Sequence, residues 1–259
     1  MNLFKKDVDI FNKRIHEIDF FRGVLIILVV FDHFMWFMNY YIFHYQSSFL
    51  TWYWNSDLRF VVRQIVLIAF LFTCGVSCYL SRNNKKRGSI LLALAVLVTI
   101  ATHVLQLLPM FNSRVIAIDI NILGVIALSI LLFTIFEKFN TKNLMLVTSG
   151  LMIFYFFIVV SVRLFPVSEY YPFKTILFNS FDPVKEGYIA DYLPLFPYVI
   201  ALFFGVIFAR NFYKERKSLI SKRGNWEKPI CFLGRHTLII YIAHEVIFTI
   251  IFMLIGLAF

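Results

Sequence analysis

The sequence predicts an all-α protein embedded in a membrane as a polytopic bundle of about seven transmembrane helices, with a cytoplasmic N-terminus and almost no soluble domain. Three observations predict this class. Of the 259 residues, 60% are hydrophobic and only 15% are charged, whereas a soluble domain carries roughly 25% charged residues. The apolar residues form runs of about 20, the length that a helix needs to cross a bilayer. The basic residues cluster between alternate runs, as topology signals do.

The apolar runs define seven spans within a single predicted transmembrane domain that covers residues 1–259. Their predicted bounds are about 20–42, 60–81, 89–108, 116–136, 144–164, 193–213 and 236–258. The longest connection, 165–192, contains three prolines. The first 19 residues are polar and the first apolar run is long enough to span, so we expect no cleavable signal peptide.

The distribution of Lys and Arg predicts the orientation. Basic residues are frequent in the N-terminal tail and in the second, fourth and sixth connections, and they are sparse in the others. The frequent group is Lys5, Lys6, Lys13, Arg14, Arg82, Lys85, Lys86, Arg87, Lys138, Lys142, Lys214, Arg216, Lys217, Lys222, Arg223 and Lys228; the sparse group is Arg59, Arg114, Lys174 and Lys185. We therefore expect the N-terminus inside and the C-terminus outside. The short loops fit a bacterial cytoplasmic membrane. The sixth connection could also bind anionic lipid or a phosphorylated substrate.

The net charge of +10 does not indicate a nucleic-acid partner, because the basic residues lie in short clusters between apolar runs rather than along one polar face. Cys74 and Cys78 lie one helical turn apart in an apolar segment, and Cys231 is distant from both. We interpret them as small core residues rather than as a metal or redox pair. Since no other Cys or His spacing is typical of a zinc site, we expect no metal.

The first predicted span carries polar residues that are costly inside a membrane and are therefore functional candidates. Asp19 and Arg22 are three residues apart, so they are neighbours on a helix and could form an interfacial ion pair that anchors it. Asp32 and His33 lie roughly 16 Å further along, near the middle of the bilayer. We interpret these two as functional, with a structural hydrogen bond between helices as the alternative.

His33, Phe37, Tyr40 and His44 share one face of the same helix. A continuous helix would hold the two histidines roughly 16 Å apart, too far to act on one atom. Either one histidine does the chemistry, or the chain bends back after about residue 40. By spacing alone, His44 fits an aromatic belt at the outer interface as well as it fits a catalyst.

Further polar candidates inside the predicted spans are Arg63, His103, Asp119 and the adjacent pair His244 and Glu245. Asp119 lies close to the outer boundary, where it could simply be solvated. The His244–Glu245 pair lies about nine residues into the last span. It could line a cavity or hold neighbouring helices together by hydrogen bonds.

Several short segments resemble, in order and over essentially the whole chain, the transmembrane acyltransferases of the heparan-alpha-glucosaminide N-acetyltransferase-like family (DUF1624). The segment that opens the first span ends in Asp19-Phe20-Phe21-Arg22-Gly23. The other matching segments are Arg14–Ile18, Asp32–Phe34, Cys74–Ser77, Ser81–Asn84, Lys86–Gly88, Asp191–Pro197 and Leu233–Leu238, followed by Tyr241 and His244. Bacterial relatives carry a Phe-Gly-Ile-Leu-His run where this chain has Ile120-Asn121-Ile122-Leu123-Gly124.

The resemblance implies transfer of an acetyl or other acyl group from acyl-CoA to a sugar amine or hydroxyl. Counted from Arg22-Gly23, His44 falls at the family's active-site histidine, which makes it the leading catalytic candidate, with His33 and Asp32 positioning the site. Arg22 and Arg63 would pair with the phosphates of CoA. Asp19, His244 and Glu245 would line the cavity.

The implied partners are membrane lipids, acyl-CoA and a sugar or glycan acceptor, with no permanently bound cofactor. An oligomer is compatible with the sequence. Two other hypotheses stay open at this stage. The chain could be a non-enzymatic transporter or a component of envelope assembly, in which Asp32, His33 and Glu245 form a proton or substrate path. It could also be an O-acetyltransferase that acts on a cell-surface glycan or a lipid-linked sugar.

Overall fold

The computed structural model describes residues 15–43, 46–108, 116–164, 191–220 and 224–258. In this part of the chain, nine α-helices, one π-helical segment and two short strands follow one another. The bounds are α1 His16–Phe37, the π-helical segment Met38–Ile42, α2 Ser48–Asn55, α3 Asp57–Leu80, α4 Asn84–Gln106, β1 Ile118–Ile120, α5 Ile122–Phe136, α6 Thr141–Leu164, β2 Asp191–Tyr192, α7 Tyr198–Phe212, α8 Glu227–Arg235 and α9 Thr237–Ala258.

Four helical segments are long and apolar enough to cross a membrane: His16–Ile42, Asp57–Leu80, Asn84–Gln106 and Thr141–Ser161. A fifth span results if α8 and α9, which meet at 80°, count as one bent span. The predicted all-helical membrane protein is thus confirmed at this coarser level, as four to five spans. The count of seven stays a prediction.

The two predicted spans that fall short are α5 and α7, with 15 residues each. At 1.5 Å per residue, each helix extends only about 22 Å, against a hydrocarbon core of about 30 Å. Each is shortened at its start. The side chain of Asn121 caps α5 by accepting a hydrogen bond from the backbone N–H of Gly124 at 3.1 Å, and the residues before Asn121 form β1. Before α7, Pro194 and Pro197 fall in the turn, where proline has no N–H for a helix.

The described residues form two compact units, one made of those before residue 74 and from residue 212 onward, and the other of those between 74 and 211. In the first unit, α1 packs against α8 and α9. The α1–α8 contact needs two glycines. A Cβ on Gly23 would lie 2.8 Å from the carbonyl carbon of Ile230, and one on Gly234 would lie 2.8 Å from the backbone nitrogen of Gly23. Small residues of this kind let helix backbones touch inside a membrane.

In the second unit, α4 packs against α5, and β1 pairs with β2 in parallel. Val125, Ala127 and Phe203 are fully buried in its core. The Asn84 amide donates to the carbonyl of Cys78 at 2.9 Å and to the carboxylate of Glu137 at 2.7 Å. Cys74 and Cys78 are buried and not in a disulfide, and so is Cys231 in the first unit, as the interpretation as core residues requires.

Candidate functional site

His33 on α1 faces two polar side chains of α9, and the three form a compact cluster. Its Nδ1 lies 2.9 Å from Nε2 of His244 and contacts the carboxylate oxygen Oε1 of Glu245. The same oxygen lies 3.4 Å from Nε2 of His244. We call His33, His244 and Glu245 the histidine–glutamate cluster. The sequence predicted His33 as catalytic and the other two as cavity residues, and the structure brings them together.

The position of protons in the cluster follows from the hydrogen bonds around it. Nδ1 of His244 lies 3.0 Å from the backbone carbonyl oxygen of Ile240, one turn earlier on α9. A carbonyl can only accept, so Nδ1 of His244 carries a proton and, in the neutral ring, Nε2 carries a lone pair. Nδ1 of His33 then faces two acceptors, the lone pair of His244 and the carboxylate of Glu245. It therefore donates its N–H to them, and the lone pair of His33 is on Nε2.

The cluster is closed on one side by aromatic rings and more open on the other. The rings of Tyr241 and Phe248 each lie 5.6 Å from the ring of His244. The His244 side chain is 6% exposed, whereas those of His33 and Glu245 are 31% and 34% exposed. His33 and Glu245 are thus the more exposed members of the cluster.

Asp32 is adjacent to His33 in sequence but has different partners, because consecutive helical residues point about 100° apart. Its carboxylate accepts two hydrogen bonds from the guanidinium of Arg59, at 2.7 and 2.8 Å, and one from the hydroxyl of Tyr53 at 2.8 Å. The guanidinium of Arg59 also stacks on Trp54, 3.5 Å from the ring centroid. Two parallel charged hydrogen bonds fix the geometry of this pair.

Tyr53 is held as a neutral donor by this arrangement. Burial, followed by the hydrogen bond to the negative carboxylate of Asp32, raises the pKa of Tyr53 to about 12. Both effects oppose formation of a phenolate. The phenol therefore remains a hydrogen-bond donor to Asp32 throughout the neutral range, and it links α2 to the middle of α1.

The chain reverses direction after the first span. The π-helical segment ends at Ile42, and α2 begins at Ser48. Since Tyr53 and Arg59 both reach back to Asp32, α2 and the start of α3 return toward the middle of α1. The alternative that the chain bends back after about residue 40 is confirmed. His44, the leading catalytic prediction, lies outside the described residues.

The N-terminal end of α1 holds a second polar network, around the buried Glu17. Its carboxylate accepts hydrogen bonds from the hydroxyl of Tyr213 at 3.2 Å, from the backbone N–H of Leu219 at 2.7 Å and from the hydroxyl of Ser218. Burial and the nearby Glu17 charge raise the pKa of Tyr213. These contacts tie the segment after α7 to the start of α1.

The other predicted site residues of the first unit, Asp19, Arg22 and Arg63, are not part of the histidine–glutamate cluster. Asp19 and Arg22 are half-buried near the start of α1, and the carbonyl of Asp19 packs against Gly234. Arg63 is half-buried on α3, one turn beyond Arg59. His103 lies in the second unit, where its Nε2 is 2.8 Å from a carboxylate oxygen of Asp119.

Sequence reasoning missed Tyr53 and Arg59. Arg59 was counted only as one of the sparse outer-side charges. A signal did exist, because a carboxylate at mid-membrane depth requires a partner, and Arg59 is the first Lys or Arg that follows Asp32 in the sequence.

The helices and the cluster define an integral membrane protein with a histidine–carboxylate site between its first and last helices. Among family profiles, that of the heparan-alpha-glucosaminide N-acetyltransferase catalytic domain matches residues 14–246. The chain belongs to this family, as its motifs predicted, and the family is one of membrane acetyltransferases. Comparison with curated proteins and with solved structures gave no significant match.

Proposed function

We propose that this chain is a membrane-embedded acyltransferase that moves an acetyl or other acyl group from acyl-CoA to a sugar amine or hydroxyl, with His33 as the general base. The observation that carries the proposal is the contact of His33 with the carboxylate of Glu245 in a chain of this family. A histidine whose Nδ1–H is held by a carboxylate has its other nitrogen ready to take a proton.

The proposed reaction follows from that tautomer. Nε2 of His33 takes the proton from the acceptor amine or hydroxyl as that group attacks the thioester carbonyl. Glu245 and His244 accept from Nδ1–H and stabilise the imidazolium that forms. When the tetrahedral intermediate collapses, the carbon–sulfur bond breaks, its electron pair leaves with sulfur, and His33 returns the proton to give free CoA. Asp32 acts as a positioning residue, since it fixes the adjacent turn of α1 through Arg59 and Tyr53.

The donor is acyl-CoA as a co-substrate, with no cofactor bound permanently. Arg63 is proposed to receive a phosphate of CoA, because it is half-buried and no described residue forms an ion pair with it. Arg22 is the second candidate.

The proposed protein is one acyltransferase domain of seven spans over residues 1–259. Its N-terminus lies on the cytoplasmic side of a bacterial cytoplasmic membrane, lipids surround the spans, and a glycan is the acceptor.

The test is turnover of acetyl-CoA labelled on its acetyl group by the full chain in detergent, with a panel of amino sugars and neutral sugars as acceptors. CoA release and label transfer are measured for the wild type and for His33→Ala, His44→Ala and His103→Ala. Because general-base catalysis supplies roughly 10²–10⁴-fold, His33→Ala should lose at least about 100-fold in kcat. His103→Ala should retain turnover.

The outcomes separate the rival assignments. Turnover that survives in His33→Ala and is lost in His44→Ala would move the base to His44, the residue that the family motif favours. A wild type that neither binds nor turns over acyl-CoA would refute the acyltransferase and favour the transporter. Product analysis distinguishes N-acylation from O-acylation of the acceptor.

A further inference from the structure

The histidine–glutamate cluster presents three metal-ligating atoms to one point. Nδ1 of His33, Nε2 of His244 and a carboxylate oxygen of Glu245 all lie within 4.8 Å of one another. The residues come from facing helices, and His33 and His244 are 211 positions apart in the chain. Within the described ranges, no other group of three His, Cys, Asp or Glu side chains converges in this way.

The cluster has more lone pairs than protons. Since Nδ1 of His244 donates to the carbonyl of Ile240, its Nε2 offers a lone pair toward His33. Glu245 offers a carboxylate oxygen to the same point. A single N–H of His33 is thus shared by two acceptors. Metal-binding histidines commonly show this pattern, in which the second ring N–H donates to a backbone carbonyl and fixes the tautomer.

We propose that His33, His244 and Glu245 bind a divalent transition-metal ion, with Zn²⁺ as the ion that fits best. Two imidazoles and one carboxylate are a donor set that zinc accepts with a fourth position open. Zinc binds such ligands at about 2.0–2.1 Å, which in tetrahedral geometry places the donor atoms about 3.4 Å apart. His244 and Glu245 already have that separation, at 3.4 Å. The pair His33–His244, at 2.9 Å, needs to open by about 0.5 Å, and the closer contact between His33 and Glu245 needs to open further.

Charge favours a cation at this point. With both imidazoles neutral, the cluster carries one negative charge within the membrane-spanning part of the chain, which is costly without a partner. The ion binds at Nδ1 of His33, whose proton moves to Nε2 of the same neutral ring, and it pairs with the carboxylate of Glu245. It can enter on the side where His33 and Glu245 are about one-third exposed. A hard ion such as Mg²⁺ prefers an all-oxygen site and should bind poorly.

The test is direct titration of the full chain, purified in detergent and stripped with a chelator, so that it does not depend on the proposed acyltransferase activity. Zn²⁺ binding is measured by calorimetry, and Co²⁺ is used as a probe whose ligand-field absorption reports nitrogen and oxygen ligands. We expect one Zn²⁺ ion per chain and no comparable binding of Mg²⁺.

Variants assign the ion to the cluster. His244→Ala and Glu245→Gln should each weaken Zn²⁺ binding by more than about 10-fold, because even a residue outside the ligand set commonly changes affinity by 10- to 100-fold. His103→Ala is the matched control, since His103 and Asp119 form only a pair of ligands; its binding should equal that of the wild type. Glu245→Gln nearly preserves side-chain volume and guards against loss of fold, which circular dichroism checks. Absence of stoichiometric Zn²⁺ binding in the wild type, or binding that survives both cluster substitutions, would overturn the proposal.

Discussion

The ion pair between Asp32 and Arg59 offers a quantitative test of the structure, because its two partners can be removed singly and together. The carboxylate accepts two hydrogen bonds from Arg59 and one from Tyr53, and the side chains are only 20% and 12% exposed. Arg59→Leu removes the charge and both of its hydrogen bonds while keeping apolar bulk. Asp32 then keeps the hydroxyl of Tyr53 as a hydrogen-bond donor.

The expected loss is large because a buried charge is left uncompensated. Removing one partner of such a pair typically costs 3–5 kcal/mol. Since Tyr53 still donates to Asp32, we expect a value at the lower end, about 3 kcal/mol. The double variant Asp32→Asn with Arg59→Leu leaves no charge, and replacing a buried ion pair by uncharged groups is often close to neutral. It should recover about 2 kcal/mol of that loss, which is a coupling energy typical of residues in direct contact.

The assay is equilibrium unfolding in mixed micelles, followed by circular dichroism for the wild type, both single variants and the double variant. The exposed ion pair Lys217–Glu215, whose side chains are 78% and 77% exposed, provides the control. Lys217→Leu should produce no measurable change, because water already solvates both charges. Single effects that simply add in the double variant would refute the reasoning, since they would mean that Asp32 and Arg59 do not interact.

Three other outcomes are expected. Gly23→Ala should lower the free energy of unfolding by about 1–3 kcal/mol in the same assay, because the added methyl group would overlap the α8 backbone. Gly150→Ala is the control: nothing lies within 4 Å of its added carbon, so it should stabilise helix α6 by up to about 1 kcal/mol. The pKa of Tyr53 is raised to about 12 from an ordinary value near 10, so the contribution of Tyr53 to stability is complete below about pH 10 and is lost as the pH rises toward 12. The difference in unfolding free energy between the wild type and Tyr53→Phe should therefore shrink across that interval. A constant difference would contradict the assigned hydrogen bond to Asp32. Zn²⁺ should inhibit acyl transfer reversibly, with half-inhibition at the concentration that half-saturates direct binding, because the ion displaces the proton that orients His33; full activity at saturating Zn²⁺ would exclude that arrangement.

Much of the helix framework could be predicted from hydropathy alone. Every predicted span overlaps an apolar helix in the described residues. What hydropathy did not determine was the length of α5 and α7. The cap at Asn121 and the prolines before Tyr198 start these helices several residues late, although the residues lost include apolar ones such as Ile116, Ile118 and Leu193. A transfer scale does not distinguish them, because it measures composition and not backbone hydrogen bonding.

The candidate site could be predicted only as a set of costly polar residues, without its pairings. His33, His244 and Glu245 were all identified because ionisable groups have an unfavourable free energy in the lipid hydrocarbon. That argument gives depth in the bilayer but not rotation about the helix axis, so it could not assign Glu245 to His33 rather than to Asp32. The pairing depends on how α1 and α9 are turned toward each other, which Gly23 and Gly234 influence by setting how closely α8 approaches α1.

Asp32 and His33 show that two neighbouring residues of a helix need separate roles, because their side chains point in different directions. As neighbours in sequence they suggest one acid–base unit, yet each finds its partner on a different element, Arg59 on α3 and Glu245 on α9. A carboxylate neutralised by Arg59 is a poor proton acceptor, because protonating it would break two charged hydrogen bonds. A histidine oriented by Glu245 is a good one, because the imidazolium is stabilised where it forms. The different partners of the two side chains therefore favour His33 over Asp32 for proton transfer. Asp32 instead holds the returning chain against α1.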